Sequence, residues 1–445
     1  MKRKTLCICT LFTLLIFSKL AVFSSPLYAE TITLETALKK AIENNPDLKK
    51  QRLSLEDAKR RKNNVWNKFL PSLNASAGYS NTHDFMDLSA APDAWNWKVS
   101  GSASLSFTFA LPSSIRQQIL NYEKEQLAYE NLEAKTLSSV ATSFYSLIAE
   151  QKNLQILEDS QSLAKQVYEQ TLKNYRSGLA SELDMLKSKY SYSSIEPQIE
   201  EAESSYYSDL SEFALSLGYD ISEIAELKLE GELKTPQITF EQGEKLVERY
   251  LDNRYDVKSA EIAVEQAKIS KMTTVSNSQL PSLNFSENLS YAQNTTDKMN
   301  GSFSASVTIP LSTLIPGSAE SLNVKTQNDA IASARITADE TRKSAENDIL
   351  TKFSNISRIW KSLEVAKLNE SISERSYELS KEGYNAGLVS QTDLESSRQQ
   401  FVSSQQTVLQ SQISYLSSLY SASQAINVSI EEFFQIFATA QEESK

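Results

Sequence analysis

The stretch Leu70-Pro71-Ser72-Leu73-Asn74 returns unchanged as Leu280-Pro281-Ser282-Leu283-Asn284, in a chain with only ten prolines among 445 residues. Each copy closes a helical pattern and opens an alternation of apolar and polar residues. Proline disfavours helical geometry in the residue before it, so each copy predicts a helix that stops and a strand that starts.

The duplication extends well beyond this turn. NNPDLKKQRLSLEDAK at 44–59 aligns with NRYDVKSAEIAVEQAK at 253–268, and YRSGLASELD at 175–184 with YNAGLVSQTD at 384–393, both at an offset of 209. The LPSLN copies lie 210 apart. An offset that agrees across three separate motifs marks one structural unit written twice.

After the first LPSLN, Leu73, Ala75, Ala77 and Tyr79 alternate with Asn74, Ser76 and Ser80. The return segment places Trp95, Trp97, Val99, Ala103, Leu105, Phe107 and Phe109 against Asn96, Lys98 and a run of Ser and Thr. A period of two over this length predicts a β-hairpin with one apolar face. The second copy repeats it with Leu283, Phe285, Leu289 and Tyr291, then Phe303, Ala305, Val307 and Ile309, interrupted once by Glu287.

The remaining sequence is helical in pattern. From 113 to 176 there is no Gly or Pro, and Leu137, Val140, Phe144 and Leu147 fall at steps of three and four, the spacing of a coiled-coil seam. At 1.5 Å per residue this segment gives roughly 96 Å of helix, and 319–385 gives about 100 Å. Helices at about 47–69 and 181–217, the latter with Pro197 inside it as an expected kink, together match one long helix in length. The spacing predicts a wall in which each long helix is flanked by a stacked pair.

A half-apolar strand is ordinarily covered by a soluble core, but the helical seams leave no apolar layer for four such strands. The alternative sets the apolar face against lipid and the Ser, Asn and Thr face toward water, with aromatics at both rims. Four strands cannot close around a water-filled lumen, so copies of the chain must supply the rest. A trimer would give twelve strands above twelve helical columns.

Met1-Lys2-Arg3-Lys4 followed by an apolar run to Phe17 has the form of an export signal too short to span a bilayer, with cleavage expected after Ala29. The signal would carry away Lys2, Arg3, Lys4 and Lys19 and no acid, taking the formal charge from −11 to −15. Such acidity argues against nucleic acid as a partner. Cys7 and Cys9 both lie within the signal, which leaves a mature chain without a disulfide, thiolate metal site or lipidated cysteine.

ITLETALKKAIENNPDL at 32–48, the two LPSLN turns and the two Y-x-x-G-L-x-S-x-x-D segments, in this order, resemble the outer-membrane efflux protein family, the TolC-type channels. The resemblance implies a mainly α fold with β-hairpins. Its two tandem repeats would build a long α-helical barrel and contribute four strands to a trimeric 12-stranded outer-membrane β-barrel. It also implies a homotrimeric channel-tunnel of a tripartite efflux or type I secretion system, seated in outer-membrane lipid and extending into the periplasm. Small molecules or polypeptides would arrive from an inner-membrane transporter through a periplasmic adaptor. On this reading residues 1–29 are the signal and 30–230 the first repeat, with its hairpin about 72–110 and tip about 176–182. Residues 231–445 are the second, with hairpin about 282–310 and tip about 385–391.

Carried onto this chain, the family's adaptor-docking turn falls on Gly178, Leu179 and Ser181 and on Gly387, Leu388 and Ser390. Gly permits a tight reversal and Ser caps the next helix, so a turn with no partner accounts for those two residue types equally well. Asp393 resembles a member of an aperture-narrowing carboxylate ring, and Asp184 a latch partner of Tyr384. Ordinary solvated acids are the alternative for both. The family's second gate acid and its basic latch residue are replaced here by Ser396 and Val389.

Catalysis has little to draw on. The single histidine, His83, stands in SNTHDFMD near Asp84 and Asp87, read as an exposed acidic loop rather than a metal site. No enzyme activity, cofactor or metal is expected. Two other readings stay open on the residues alone: an exported coiled-coil structural or adhesive protein, and a passive porin-like channel.

Overall fold

The computed structural model describes residues 31–80, 96–220, 222, 224, 227–240, 243–292 and 299–437. The expected signal at 1–29, the His83 loop and Trp95 lie outside the described residues. In chain order the elements are β1 (Thr31–Ile32), α1 (Leu34–Asn44), α2 (Pro46–Asn63), β2 (Ser72–Ser80), β3 (Asn96–Thr108), α3 (Leu111–Arg176), α4 (Glu182–Ser193) and α5 (Glu196–Ser216). The second set is β4 (Lys228–Leu229), α6 (Gly243–Tyr250), α7 (Tyr255–Gln279), β5 (Ser282–Ala292), β6 (Asn300–Thr308), α8 (Ala319–Asn385), α9 (Gln391–Ala425) and α10 (Ile430–Phe437).

The two long helices, α3 of 66 residues and α8 of 67, are each about 100 Å in length. The pair α2 and α4–α5 flanks α3, and the pair α7 and α9 lies between α3 and α8, giving four helical columns side by side. Two hydrophobic clusters sit at mid-height where α1 and β1–β4, or α6 and α10, wrap the columns. Their residues obey the offset of the sequence motifs: Val140, Phe144 and Leu147 in one correspond to Ile349, Phe353 and Ile356 in the other, all buried.

Both LPSLN turns act as the spacing predicts. Leu70 (φ −88°, ψ 146°) and Leu280 (φ −104°, ψ 150°) are extended, as residues before proline must be, and a strand begins at the serine that follows. The helix before the first turn is shorter than expected. It ends at Asn63, and Val65–Phe69 tightens into a 3-10 turn, with Asn64 Nδ2 donating to the Arg60 carbonyl at 2.9 Å. The helix expected over 181–217 is likewise two helices. The break falls at Ser194 and Ile195, and Pro197 occupies the first turn of α5, where its missing N–H costs nothing. Its counterpart α9, without proline, runs unbroken for 35 residues.

The hairpins join in one antiparallel sheet of order β2-β3-β5-β6. Its register puts Leu73, Ala103, Glu287 and Phe303 across one row and Ser72, Ser104, Ser286 and Ser304 in another, so one face is apolar and the other hydroxylated. Among the described residues no helix covers the apolar face: Leu73, Tyr79, Phe303 and Val307 are all exposed. Among the described residues, no helix is long and apolar enough to cross a membrane.

Gly218, after α5, adopts φ 83°, and its repeat partner Asn427, after α9, adopts φ 55°. A Cβ on Gly218 would stand 2.7 Å from the Asn44 Cβ. Gly218→Ala is therefore expected to lower the melting temperature by the equivalent of more than about 1 kcal/mol, whereas Asn427→Gly should change it by only a few tenths. Scanning fluorimetry in detergent checks the pair.

On α3, burial raises the Glu150 carboxyl to about 7, and Asp209 of α5 adds like-charge repulsion and a shared hydrogen bond. The native state then holds more protons than the unfolded chain between the usual value of 4.5 and about 7, so Glu150 costs stability as pH rises through that window. Asp209→Asn is expected to flatten the fall in melting temperature across this range. An unchanged pH profile would refute the assignment.

Candidate functional site

The far end of the helical wall carries two reversals, α3 into α4 and α8 into α9. Both are built alike. Gly178 and Gly387 each take φ 74°, a conformation that other residues adopt only under strain. At the first, Leu179 N–H donates to the Asn174 carbonyl (2.8 Å) and Gly178 N–H to the Tyr175 carbonyl (2.9 Å). At the second, Leu388 donates to Gly383 (2.8 Å) and Gly387 to Tyr384 (3.0 Å). This is the Schellman closure, which satisfies the last carbonyls of a helix and turns the chain out of it.

The next helix is opened by serine in both. Ser181 Oγ accepts from the Asp184 N–H at 3.1 Å and donates to the Asp184 carboxylate at 2.7 Å, and Ser390 does the same with Asp393 at the same distances. Each acid occupies the third helical position, where a carboxylate also favours the positive end of the helix dipole. Asp184 and Asp393 thus have a structural task within their own turns.

Between Gly and Ser the tips differ from an ordinary polar loop. Leu179 is 79% exposed and Leu388 84%, the two highest values among the large exposed hydrophobics of the described residues. Leu183, Leu186 and Tyr190 continue the exposed apolar surface up α4. Val389, which stands where the family resemblance would place a basic residue, is half-buried; a Cβ on Gly383 would lie 2.5 Å from its Cγ2, so glycine there makes its room.

Tyr384 does not meet Asp184 within the protomer. Its hydroxyl shares a 2.8 Å hydrogen bond with Thr171, a fully buried side chain of α3, and so straps the two long helices together just above the tips. Lys187 Nζ reaches Thr392 Oγ1 at 3.2 Å and links α4 to α9 at the same level. Ser396 is exposed on α9.

Sequence reading passed over one cluster. Arg398, 6% exposed, pairs with Glu395 at 2.6 Å and donates to Ser160 of α3. Burial alone would raise the Glu395 carboxyl, but the Arg398 hydrogen bonds outweigh it and hold the group below its usual range. The E-x-x-R spacing in α9 was the available signal, and only packing against α3 distinguishes it from a solvated pair.

At the opposite end, hydroxyls bridge the strands on the polar face: Ser72 with Ser104 at 2.6 Å, Ser76 with Ser100 at 2.8 Å and Ser286 with Ser304 at 2.8 Å. The apolar face bears an aromatic tier at each end, Trp97 with Tyr291 (5.1 Å) and Phe107 with Phe285 (6.4 Å). The ten steps from Trp97 to Phe107 span about 34 Å, or about 24 Å of height at a 45° tilt, close to the apolar band of a membrane barrel.

The profile of a family described as outer membrane efflux protein matches residues 37–219 and 246–428. The two matched spans are themselves 209 residues apart at both ends. No curated protein sequence matches the chain. Among solved structures, the CmeC outer membrane channel of Campylobacter jejuni is similar with a TM-score of 0.73 at 18% identity, covering 91% of this chain and 88% of that one. The outer membrane protein VceC of Vibrio cholerae is similar with a TM-score of 0.68 at 15% identity, covering 89% and 96%. A membrane protein of Pseudomonas aeruginosa gives 0.71 at 15% identity, covering 88% and 93%.

Proposed function

The chain belongs to the outer membrane efflux protein family, and on that premise we propose that it forms a homotrimeric channel-tunnel that receives cargo at its Gly-Leu tips from a periplasmic adaptor and an inner-membrane transporter. The observation that carries this reading is the opposition of the two ends. A sheet with one lipid-compatible face and open edges lies about 100 Å of helix away from two exposed, identically built leucine turns.

Three copies would supply twelve strands. β2 and β6 run in opposite directions at the two edges of the sheet, so β6 of one copy can pair antiparallel with β2 of the next and leave no edge in hydrocarbon. The hydroxylated face then lines the lumen. A leader at 1–29 and repeats at 30–230 and 231–445, with hairpins about 72–110 and 282–310 and tips about 176–182 and 385–391, complete this reading. The family is one of transport channels, and no catalytic role is assigned to any residue.

Gly178, Leu179 and Ser181, with Gly387, Leu388 and Ser390, form the docking turns. Their apolar side chains point to helical hairpins of an adaptor as the occupant, and a passive porin-like channel would have no use for them. Asp393, exposed at the start of α9, is the aperture carboxylate of each copy. Asp184, half-buried beside Ser181, and Tyr384, strapped to Thr171, hold the geometry of the aperture.

A ring of three like carboxylates favours cations in a narrow passage. Asp393→Ala is expected to lower cation over anion permeability in planar bilayers, and unchanged selectivity would defeat the gate assignment. A photo-crosslinker at Leu179 or Leu388 is expected to capture a periplasmic adaptor in living cells. Capture from neither position would count against the efflux reading.

A further inference from the structure

The lower rim of the sheet carries a concentration of positive charge that the channel reading does not use. In a chain of formal charge −11, α2 and the turn after it present Lys59, Arg60, Arg61, Lys62 and Lys68 within ten residues. Among the described residues only Asp57 forms ion pairs with them: it lies 2.7 Å from Arg61 and 3.6 Å from Arg60, so one carboxylate faces two guanidinium groups. Among the described residues neither Lys62 nor Lys68 has an acid within ion-pair distance, and Lys62 lies over the Tyr122 ring at 4.1 Å. The guanidinium side chains remain open to solvent, Arg60 at 65% and Arg61 at 68%.

These cations adjoin an apolar collar. Trp66, Phe69 and Leu70 follow them directly, and Leu311, Leu314 and Ile315 stand exposed at the matching exit from β6. Along the axis Arg61 lies roughly 15 Å from Phe69, and a long side chain plus a Debye length of about 8 Å covers that distance. The wall itself does not demand the charge. In the second repeat the equivalents of Lys59, Arg60, Arg61, Lys62 and Lys68 are Lys268, Ile269, Ser270, Lys271 and Asn277, and α7 packs with two cations there in place of five.

We infer that this end of α2, with the turn after it, binds anionic phospholipid headgroups of the periplasmic leaflet, with the aromatic and leucine collar seated in the acyl boundary beside it. The inference rests on the membrane-channel reading above. Each cation held near an anionic surface contributes about 1 kcal/mol, roughly fivefold in affinity. A second copy is the competing occupant, because α8 carries Glu320 in its first turn and Asp329 further along, and lies at the other edge of the wall.

The full-length assembly, reconstituted in nanodiscs of mixed phosphatidylcholine and phosphatidylglycerol, provides the test. Lipids retained after detergent extraction are expected to be enriched in phosphatidylglycerol severalfold, and the enrichment should vanish in 0.5 M salt. Joint replacement R60Q/R61Q/K62Q/K68Q should abolish it while the trimer persists. The pair K49Q/K50Q, at the other end of α2, should leave it intact. Equal enrichment in the fourfold variant would overturn the inference. Loss of the trimer in the fourfold variant in every lipid would assign the cations to the neighbouring copy and overturn it as well. Failure of the wild-type chain to insert into any bilayer would sink the channel reading itself, whereas insertion without lipid preference would sink only this one.

Discussion

The structure is governed by the unfinished edges of its sheet. Among the described residues β2 and β6 each pair on one side only, and the face between them is apolar and uncovered. A row of free N–H and C=O groups beside exposed Leu, Phe and Tyr is untenable in hydrocarbon and hazardous in water. The proposed closure by further copies would resolve both at once, and the alternating direction of the strands allows it without a crossover. Glu287, between Ala103 and Phe303, is the one charged residue on the apolar face of the described strands.

The helical wall follows from the same demand for repetition. Each repeat alone would be a long helix with half its seam unpaired, and placing the α7–α9 pair between α3 and α8 buries the inner seams of both. Burial is concentrated at mid-height, where Phe144 of α3 packs on Phe213 of α5 and Phe353 of α8 on Phe433 of the added helix α10. Above and below that belt the columns are thin and solvated, with Gly and Pro largely absent because nothing else would hold an interrupted helix in line. The exception is α4–α5, and there the break is placed where proline is harmless.

The tips show how local chemistry and function share residues. Serine caps, glycine reversals and third-position carboxylates satisfy every requirement of a helix-turn-helix on their own. What those requirements leave unexplained is the pair of exposed leucines, and the proposed docking rests on that surplus. The Tyr384–Thr171 strap and the buried Arg398–Glu395–Ser160 cluster then tie the second repeat to α3 just above the turns.

Much of the architecture was legible in the residues. The 209-residue offset, the period-two hairpins and the Gly-Leu turns are local patterns, and local patterns survive because backbone sterics and side-chain alternation act over a few residues. The ends of α2 and the split of α4 from α5 were not legible, since a 3-10 tightening and a break before proline are decided by a balance of a few tenths of a kcal/mol per residue. Tyr384's partner could not be read either. Sequence alone determined which residues repeat, which alternate and where the chain turns; only the tertiary structure decided that Thr171 rather than Asp184 receives Tyr384, and that Arg398 is buried, because both depend on which faces of α3, α8 and α9 the packed seams bring together.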